Sequence, residues 1–198
     1  RYRPAMGPYG TEWVGFRYFE KFMRGASFWQ AFRNTLLVSL LNLVVNFPIP
    51  VLFAIMLNEV RHVRFKKLVQ TVSYMPRFIS TVVVIAILTE MLSPSSGLLN
   101  RFLKNNFGIA PIYFMNDPKY FRLLYVLTDT WLFTGWTSII YLAAITGISN
   151  DLFEAATIDG ASRFQQIRYV TIPSILPTIM VMFILNVGRL LSLGFEKV

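Results

Sequence analysis

The sequence predicts an all-α protein that crosses a membrane several times, and its composition and charge spacing carry this prediction. Of the 198 residues, 55% are hydrophobic and only 15% are charged, and the mean hydropathy is +0.51. Soluble domains carry about 25% charged residues. Three runs of at least 20 residues contain no charge at all: 34–58, 130–150 and 169–188. Each run is long enough for a transmembrane helix, because about 20 apolar residues cross a bilayer core.

Including one weaker segment, four spans are predicted, over about 34–58, 68–92, 122–148 and 170–193. The segment 68–92 is the weakest because Arg77 and Glu90 bracket its charge-free centre. We retain it because the apolar run 82–88 would otherwise face water. Several spans contain proline, which membrane helices tolerate where neighbouring helices or a water-filled cavity satisfy the freed carbonyls.

Residue counts and spacing exclude several kinds of chemistry. The chain has no Cys, so it has no disulfide, thiolate metal site or cysteine nucleophile. Its one histidine, His62, lies in a basic stretch without metal-ligand spacing. No GxxxxGK[ST] loop is present, so the chain itself hydrolyses no ATP. We expect no catalytic residue, metal or cofactor, and we assign the net charge of +9 to lipid head groups rather than nucleic acid.

The segment 149–169 carries the strongest local signals. Asp151, with Glu154 three residues later, has the spacing of a capping box and predicts that a helix begins there. Gly160 predicts the end of that helix, because glycine adopts the left-handed conformation of a helix stop. We expect Gly160 to tolerate no side chain, since backbone geometry and close packing would both exclude a Cβ atom.

A second helix is predicted directly after this turn. Ser162 and Gln165 repeat the capping pattern. Phe164, Ile167 and Val170 follow at positions i, i+3 and i+6, which predicts that they share one face. The expected structure is a short helix, a glycine turn and a second helix that continues into the membrane.

The same segment resembles the Glu-Ala-Ala loop of the permease subunits of binding-protein-dependent ABC importers. The family pattern is Glu-Ala-Ala, three residues, Gly, nine residues and Ile-x-Leu-Pro. Here it reads Glu154-Ala155-Ala156, Gly160 and Val170-Thr171-Ile172-Pro173, with the family's spacing throughout. Val170 and Ile172 are conservative departures from the usual Ile and Leu. Further stretches resemble the branch that handles oligosaccharides and polysaccharide fragments: 34–36, 92–100, 134–145 and 194–195.

The resemblance implies a type I ABC importer transmembrane domain over 1–198. Family members usually have six spans, so this chain would be a fragment with about four of them, the second to the fifth. The segment 149–169 would be the cytoplasmic coupling loop that docks into a separate ATPase subunit. Glu154 either contacts that ATPase or caps its own helix. The residues implied to couple to the ATPase are Glu154, Ala155, Ala156, Asp159, Gly160, Ala161 and Pro173.

The implied function is that of a permease subunit in an ATP-driven sugar (oligosaccharide) importer of the bacterial plasma (inner) membrane. The implied partners are ABC ATPase subunits, a second and different permease subunit, an extracytoplasmic solute-binding protein, the sugar and membrane lipid. The charge distribution alone predicts the opposite orientation, because eleven Lys and Arg lie on the side of 1–33 and six on the other. We follow the loop, which puts 1–33 outside.

Candidates for the substrate path are polar and aromatic residues inside the predicted spans: Asp129, Trp131, Trp136, Tyr141 and Asn46. A carboxylate at membrane depth is a functional candidate and accepts hydrogen bonds from sugar hydroxyls, and aromatic rings offer flat apolar faces. Such aromatic residues otherwise pack against lipid or protein. Asn42 and Asn46, one helical turn apart, either face a cavity or bond a neighbouring helix.

Two other classes of function stay open at this point. One is an intramembrane enzyme, which would need Glu90 and Asp129 on one cavity. The other is a polytopic scaffold or receptor component that transports nothing. Co-purification of an ATPase through the 151–161 loop separates the importer from both.

Overall fold

The structure, a computed structural model, describes residues 15–188, which contain helices and no strand. The helices are α1 (Arg17–Arg24), α2 (Ala26–Asn46), α3 (Pro48–Glu59), α4 (Val63–Tyr74), α5 (Thr81–Met91), α6 (Leu98–Phe107), α7 (Pro118–Thr146), α8 (Asn150–Ile158), α9 (Arg163–Gln166) and α10 (Ile172–Gly188). A 3₁₀ turn (Met75–Phe78) follows α4, and a π-turn (Ile167–Thr171) separates α9 from α10. The predicted all-α class is confirmed.

The chain divides into two compact units, Arg1–Leu37 and Val38–Val198. In the described part of the first unit, α1 is amphipathic and none of its residues is buried. Its Phe22 ring lies 4.9 Å from the ring of Phe28, and Phe28 in turn lies 5.3 Å from Trp29. Aromatic packing thus links α1 to the residues that follow it.

Two helical segments are long and apolar enough to cross a membrane by themselves, Phe28–Glu59 and Arg163–Gly188. Two further pairs reach that standard only if each bent pair counts as one span. These are Val63–Phe78 with Thr81–Met91, bent by 94°, and Lys119–Thr146 with Asn150–Ile158, bent by 68°. The structure therefore offers two to four candidate spans, and the four predicted from the sequence are the upper end of that range.

The segment predicted as a span over 68–92 consists of two helices rather than one. Pro76 lies in the 3₁₀ turn after α4, and Ile79 then adopts an extended conformation (φ −82°, ψ 133°). Proline has no backbone N–H and cannot continue the helical hydrogen-bond ladder. The chain therefore turns sharply before α5 begins.

The core of the second unit lies between α3, α7 and α10. Its buried members are Ala54, Ile55, Tyr141, Leu142, Ile145 and Ile175. Ala54 and Ile175 are fully inaccessible to solvent. This cluster anchors one end of α7, close to the start of the 149–169 loop.

A close crossing holds α4 against α7. A Cβ atom at Gly135 would lie 2.1 Å from the carbonyl oxygen of Ser73, a distance that no side chain can occupy. Ser138, one turn along α7, is fully buried and donates a hydrogen bond to the Gly135 carbonyl (2.6 Å). Small residues here let the two backbones touch, as in other membrane helix pairs.

Asn100 on α6 organises the long connection between α5 and α7. Its amide donates to the carbonyl oxygens of Leu92, Ser93 and Ile112 at 3.0–3.1 Å, and its Oδ1 accepts from the Ile112 N–H at 2.8 Å. The side chain is 3% exposed. One buried residue therefore satisfies backbone groups on both sides of α6.

Candidate functional site

The 149–169 loop begins with a cap that the sequence did not predict. Ser149 is the N-cap of α8, and its Oγ accepts a hydrogen bond from the Asp151 N–H (3.3 Å). The predicted capping box of Asp151 and Glu154 is wrong, because α8 already starts at Asn150 and Asp151 lies inside its first turn. Asp151 instead accepts a hydrogen bond from the Ser149 hydroxyl (3.1 Å). Its negative charge also suits the positive end of the helix dipole.

Gly160 ends α8 as predicted, in the left-handed region with φ +76°. The next N–H, of Ala161, bonds back to the Ala156 carbonyl at 2.9 Å, which closes the helix end. Among the described residues the predicted close packing is not seen, since a Cβ atom at Gly160 would meet no atom within 4 Å. Conformation alone therefore requires glycine here.

The predicted capping box of the second helix is confirmed. The Ser162 N–H donates to Gln165 Oε1 (2.7 Å), and the Gln165 N–H donates to Ser162 Oγ (3.4 Å). Gln166 then ties this helix to α8, because its Nε2 donates to Thr157 Oγ1 (3.0 Å) and to the Ala161 carbonyl (3.3 Å). The helix–turn–helix is therefore a hydrogen-bonded unit.

The π-turn was not expected, and it changes which side chains share a face. Ile167 and Val170 are half-buried, but Phe164 is 70% exposed. A π-turn takes more residues per turn than an α-helix, so the i, i+3, i+6 spacing no longer aligns the three side chains. The predicted common face is wrong for Phe164.

The residues predicted to couple to an ATPase lie on this loop, except Pro173, which lies at the start of α10. Glu154, Ala155, Asp159, Gly160 and Pro173 are exposed, and Ala156 and Ala161 are half-buried. Within residues 15–188, no hydrogen bond or ion pair occupies the Glu154 carboxylate. The alternative that Glu154 caps its own helix is not what the structure has, because Ser149 fills that position.

A long-range ion pair at this end of the molecule had no sequence signal. Arg163 Nη1 lies 3.6 Å from Glu59 Oε2, at the end of α3. The two residues help line an open groove of about 1070 Å³, together with Asn150, Glu154 and Gln166. Only tertiary packing brings Glu59 to the loop.

A second candidate site is a cavity of about 290 Å³ in the second unit. Its lining residues come from α2, α7 and α10 and from the turn between α2 and α3: Ser39, Asn42, Leu43, Asn46, Phe47, Asp129, Phe133, Thr137, Tyr141, Met182, Leu185 and Asn186. Three predicted substrate-path residues, Asn46, Asp129 and Tyr141, therefore share one cavity. Sequence reasoning missed Ser39, Thr137 and Asn186, which are polar residues inside charge-free runs.

Four side chains beside this cavity form a connected polar chain. Asn42 Nδ2 donates to Asp129 Oδ2 at 2.8 Å. Asn46 donates to Asn42 Oδ1, and Thr130 donates to Asn46 Oδ1. Asp129 is 6% exposed. The two readings of Asn42 and Asn46 both hold, since they face the cavity and also bond a neighbouring helix.

The two predicted tryptophans lie outside the cavity lining. Trp131 is 54% exposed, and Trp136 is 46% exposed. Trp136 packs edge-to-face on Phe78, with ring centroids 5.9 Å apart. The Arg77 guanidinium lies 4.9 Å from the ring centroid of Phe133, which lines the cavity. The Trp136–Phe78 pair therefore lies apart from the cavity lining.

The paired carboxylates that an intramembrane enzyme would need do not share this cavity. Glu90 is not among the lining residues, and its Oε1 accepts a hydrogen bond from Ser96 Oγ at 2.9 Å. Among the described residues no group of three or more His, Asp or Glu could hold a metal ion. The structure does not favour the enzyme alternative.

Comparison with known proteins identifies the family. Residues 47–194 match the family described as "Binding-protein-dependent transport system inner membrane component". The polygalacturonan/rhamnogalacturonan transport system permease protein YteP of Bacillus subtilis (strain 168) is 43% identical over 197 residues, which are 100% of this chain and 61% of that protein.

Two solved structures are similar over most of this chain. One is a bacterial ABC transporter involved in the import of the acidic polysaccharide alginate, with TM-score 0.89, 41% identity, and coverage of 97% of this chain and 66% of that one. The other is a bacterial alginate ABC transporter in complex with an alginate pentasaccharide-bound periplasmic protein, with TM-score 0.87, 42% identity, and coverage of 92% and 63%. This chain thus spans 61% to 66% of the length of these relatives. It belongs to the family of inner membrane components of binding-protein-dependent transport systems.

Proposed function

We propose that this chain is part of a permease subunit that imports oligosaccharides across the bacterial plasma membrane, powered by a separate ATPase subunit. The observation that carries this proposal is the exposed helix–turn–helix of the 149–169 loop. Its Glu154 carboxylate has no partner among the described residues, and its Gly160 turn faces open space. Such a surface is suited to being completed by another protein.

The loop has the mechanical properties that ATP-driven transport needs. Reciprocal capping bonds at Ser162 and the Gln166 bridge to Thr157 make it stiff. Through the π-turn it continues directly into α10, so a push on α8 is passed to a membrane helix. We assign Glu154, Ala155, Ala156, Asp159, Gly160, Ala161 and Pro173 to this contact.

Single-cysteine labelling tests both the partner and the orientation. The chain has no native Cys, so Ala155→Cys and Asn105→Cys each introduce one reactive thiol. In the complete transporter, Ala155→Cys should react with an impermeant maleimide only from the cytoplasmic side and should crosslink to the ATPase. Asn105→Cys, on exposed α6, should react only from outside. Reaction of Ala155→Cys from outside would contradict the proposal.

The cavity beside α7 is the proposed substrate path in this half of the transporter. Asn46, Asp129 and Tyr141 present amide, carboxylate and phenol groups, which are suited to sugar hydroxyls. The exposed Trp136–Phe78 pair offers a separate flat surface for a sugar ring, and exposed Trp131 is retained as a further candidate.

We further propose an acidic or neutral oligosaccharide as substrate, a second and different permease subunit, and delivery by an extracytoplasmic solute-binding protein. Of the relatives named above, one is a polygalacturonan/rhamnogalacturonan transport system permease and another is involved in the import of alginate. Uptake by proteoliposomes, with and without the solute-binding protein, should be compared for oligogalacturonide, alginate pentasaccharide and maltopentaose. Uptake of none of these oligosaccharides would contradict the proposed substrate class.

A further inference from the structure

The start of α4 carries a cluster of positive charge that no described residue pairs with a negative charge. Arg61, Arg64, Lys66 and Lys67 lie within seven residues, and no Asp or Glu occurs between Glu59 and Glu90. The carboxylate nearest in the sequence, that of Glu59, already faces Arg163 at 3.6 Å. Among residues 15–188, which the structure describes, none of the four cations has an ion-pair partner.

These cations do not serve the stability of α4 itself. The first turn of this helix contains no acidic residue, and its N-cap, His62, makes no side-chain cap bond. Positive charge at a helix N-terminus opposes the helix dipole and costs free energy there. An external anion is therefore the partner that would make the cluster favourable.

An exposed apolar stripe runs along the same helix from the cationic end. Phe65, Leu68, Val72 and Met75 are 56–61% exposed. On the opposite side of α4, Ser73 abuts Gly135 of α7, so the stripe faces away from the protein. From Phe65 to Met75 the stripe is about 15 Å long at 1.5 Å per residue, which is half of a hydrocarbon core of about 30 Å.

We propose that this surface binds an anionic phospholipid, with the head group on Arg61, Arg64 and Lys67 and an acyl chain along Phe65, Leu68, Val72 and Met75. The chemistry of each part fits one part of such a lipid. Basic clusters beside a membrane helix attract anionic head groups, and the stripe has the length of one leaflet. The sharp bend between Phe78 and Thr81 comes just after the end of the stripe. This site requires only that α4 enters the membrane, so it stands apart from the proposed substrate.

The test compares two triple variants of the complete transporter in phosphatidylcholine bilayers that contain a minor fraction of phosphatidylglycerol. Arg61→Gln, Arg64→Gln and Lys67→Gln remove the three exposed cations of the site. Arg101→Gln, Lys104→Gln and Lys119→Gln remove three exposed cations elsewhere. Spin-labelled phosphatidylglycerol and phosphatidylcholine report the selectivity of the lipid shell, and native mass spectrometry counts retained lipids and ATPase subunits.

Each Lys or Arg near an anionic membrane surface strengthens the binding to anionic lipid by about fivefold. We therefore expect the first variant to lose phosphatidylglycerol selectivity by about tenfold or more, while the control keeps most of it. Free glycerol 3-phosphate should not displace the bound lipid, because it lacks the acyl chain that the stripe holds. Unchanged selectivity, equal loss in both variants, or loss of ATPase subunits without loss of lipid would overturn the proposal. The last result would instead assign the cluster to an acidic protein surface.

Discussion

Hydrogen bonds within the 149–169 loop join residues two to nine positions apart, from Ser149–Asp151 to Thr157–Gln166. The polar chain beside the cavity joins residues 84 and 87 positions apart, Asn46 with Thr130 and Asn42 with Asp129. The loop leaves its Glu154 carboxylate exposed, whereas the cavity turns its polar groups toward one another. A surface built locally and left open is suited to a partner protein. A polar group at membrane depth instead needs partners within the fold.

The largest effect should come from Gly160→Asp, which forces a side chain into the left-handed conformation. That conformation costs an L-residue about 1–2 kcal/mol, and the new carboxylate lies where we place the ATPase. We expect transport to fall by about tenfold or more while membrane abundance persists. Uptake by proteoliposomes and immunoblotting of membranes measure the two quantities.

The matched control for this change is Gly108→Asp. Gly108 also has a positive φ (+64°) and open space around it, but it ends α6. Both variants bear the same kind of backbone cost, so a difference in transport reports the position. Normal transport by Gly160→Asp, or equal losses in both variants, would contradict the proposal that the 149–169 loop, and not α6, contacts the ATPase.

A somewhat smaller effect is expected for Glu154→Gln. If this carboxylate makes a charge-assisted hydrogen bond to the ATPase, its loss should weaken association of the subunits by about tenfold. Glu20→Gln removes an exposed carboxylate on α1 and should change nothing. Affinity of detergent-solubilised permease for the ATPase measures the effect. An unchanged affinity would mean that the exposed loop surface does not depend on this charge.

In the cavity, Asp129→Ala should lower the stability of the folded protein rather than its coupling to the ATPase. It leaves the Asn42 amide without its acceptor, and an unsatisfied buried donor costs about 1–3 kcal/mol. Asp129→Asn keeps an acceptor oxygen and should recover much of that loss. Thermal unfolding of the purified transporter separates the two variants. Equal melting temperatures for both variants and the native protein would show that the polar chain is not structural.

The smallest effect concerns the ion pair between the loop and a membrane helix, Arg163 with Glu59. The pair is 35% and 67% exposed, so water screens it and its contribution should stay below about 1 kcal/mol. Glu59→Lys and Arg163→Glu should each lower stability slightly, and the double variant should restore it. A double-mutant cycle on unfolding free energies measures this coupling. A coupling above that limit would mean that the loop also depends on tertiary contacts.

Local sequence signals predicted the left-handed turn at Gly160 and the capping box of Ser162 and Gln165, because both depend on residues within one helical turn. They failed at the start of α8, where Ser149 and Asp151 competed for the cap and the earlier residue occupies it. They also missed the π-turn of 167–171, because apolar residues spaced three apart predict an ordinary helix and do not indicate a π-turn. Charge-free runs located apolar segments, but they did not predict the 94° bend between Phe78 and Thr81.

The sequence by itself determined that this chain is helical and apolar enough to span a membrane, and its Glu-Ala-Ala spacing determined the family. These properties follow from composition and from short-range patterns, which need no folded neighbour. Tertiary structure alone decided that Asn42, Asn46 and Asp129 meet at one cavity, that Trp131 and Trp136 do not line it, and that Glu59 reaches Arg163. Such contacts depend on how helices cross, and crossings such as that of Gly135 with Ser73 are fixed by packing between residues far apart in the chain.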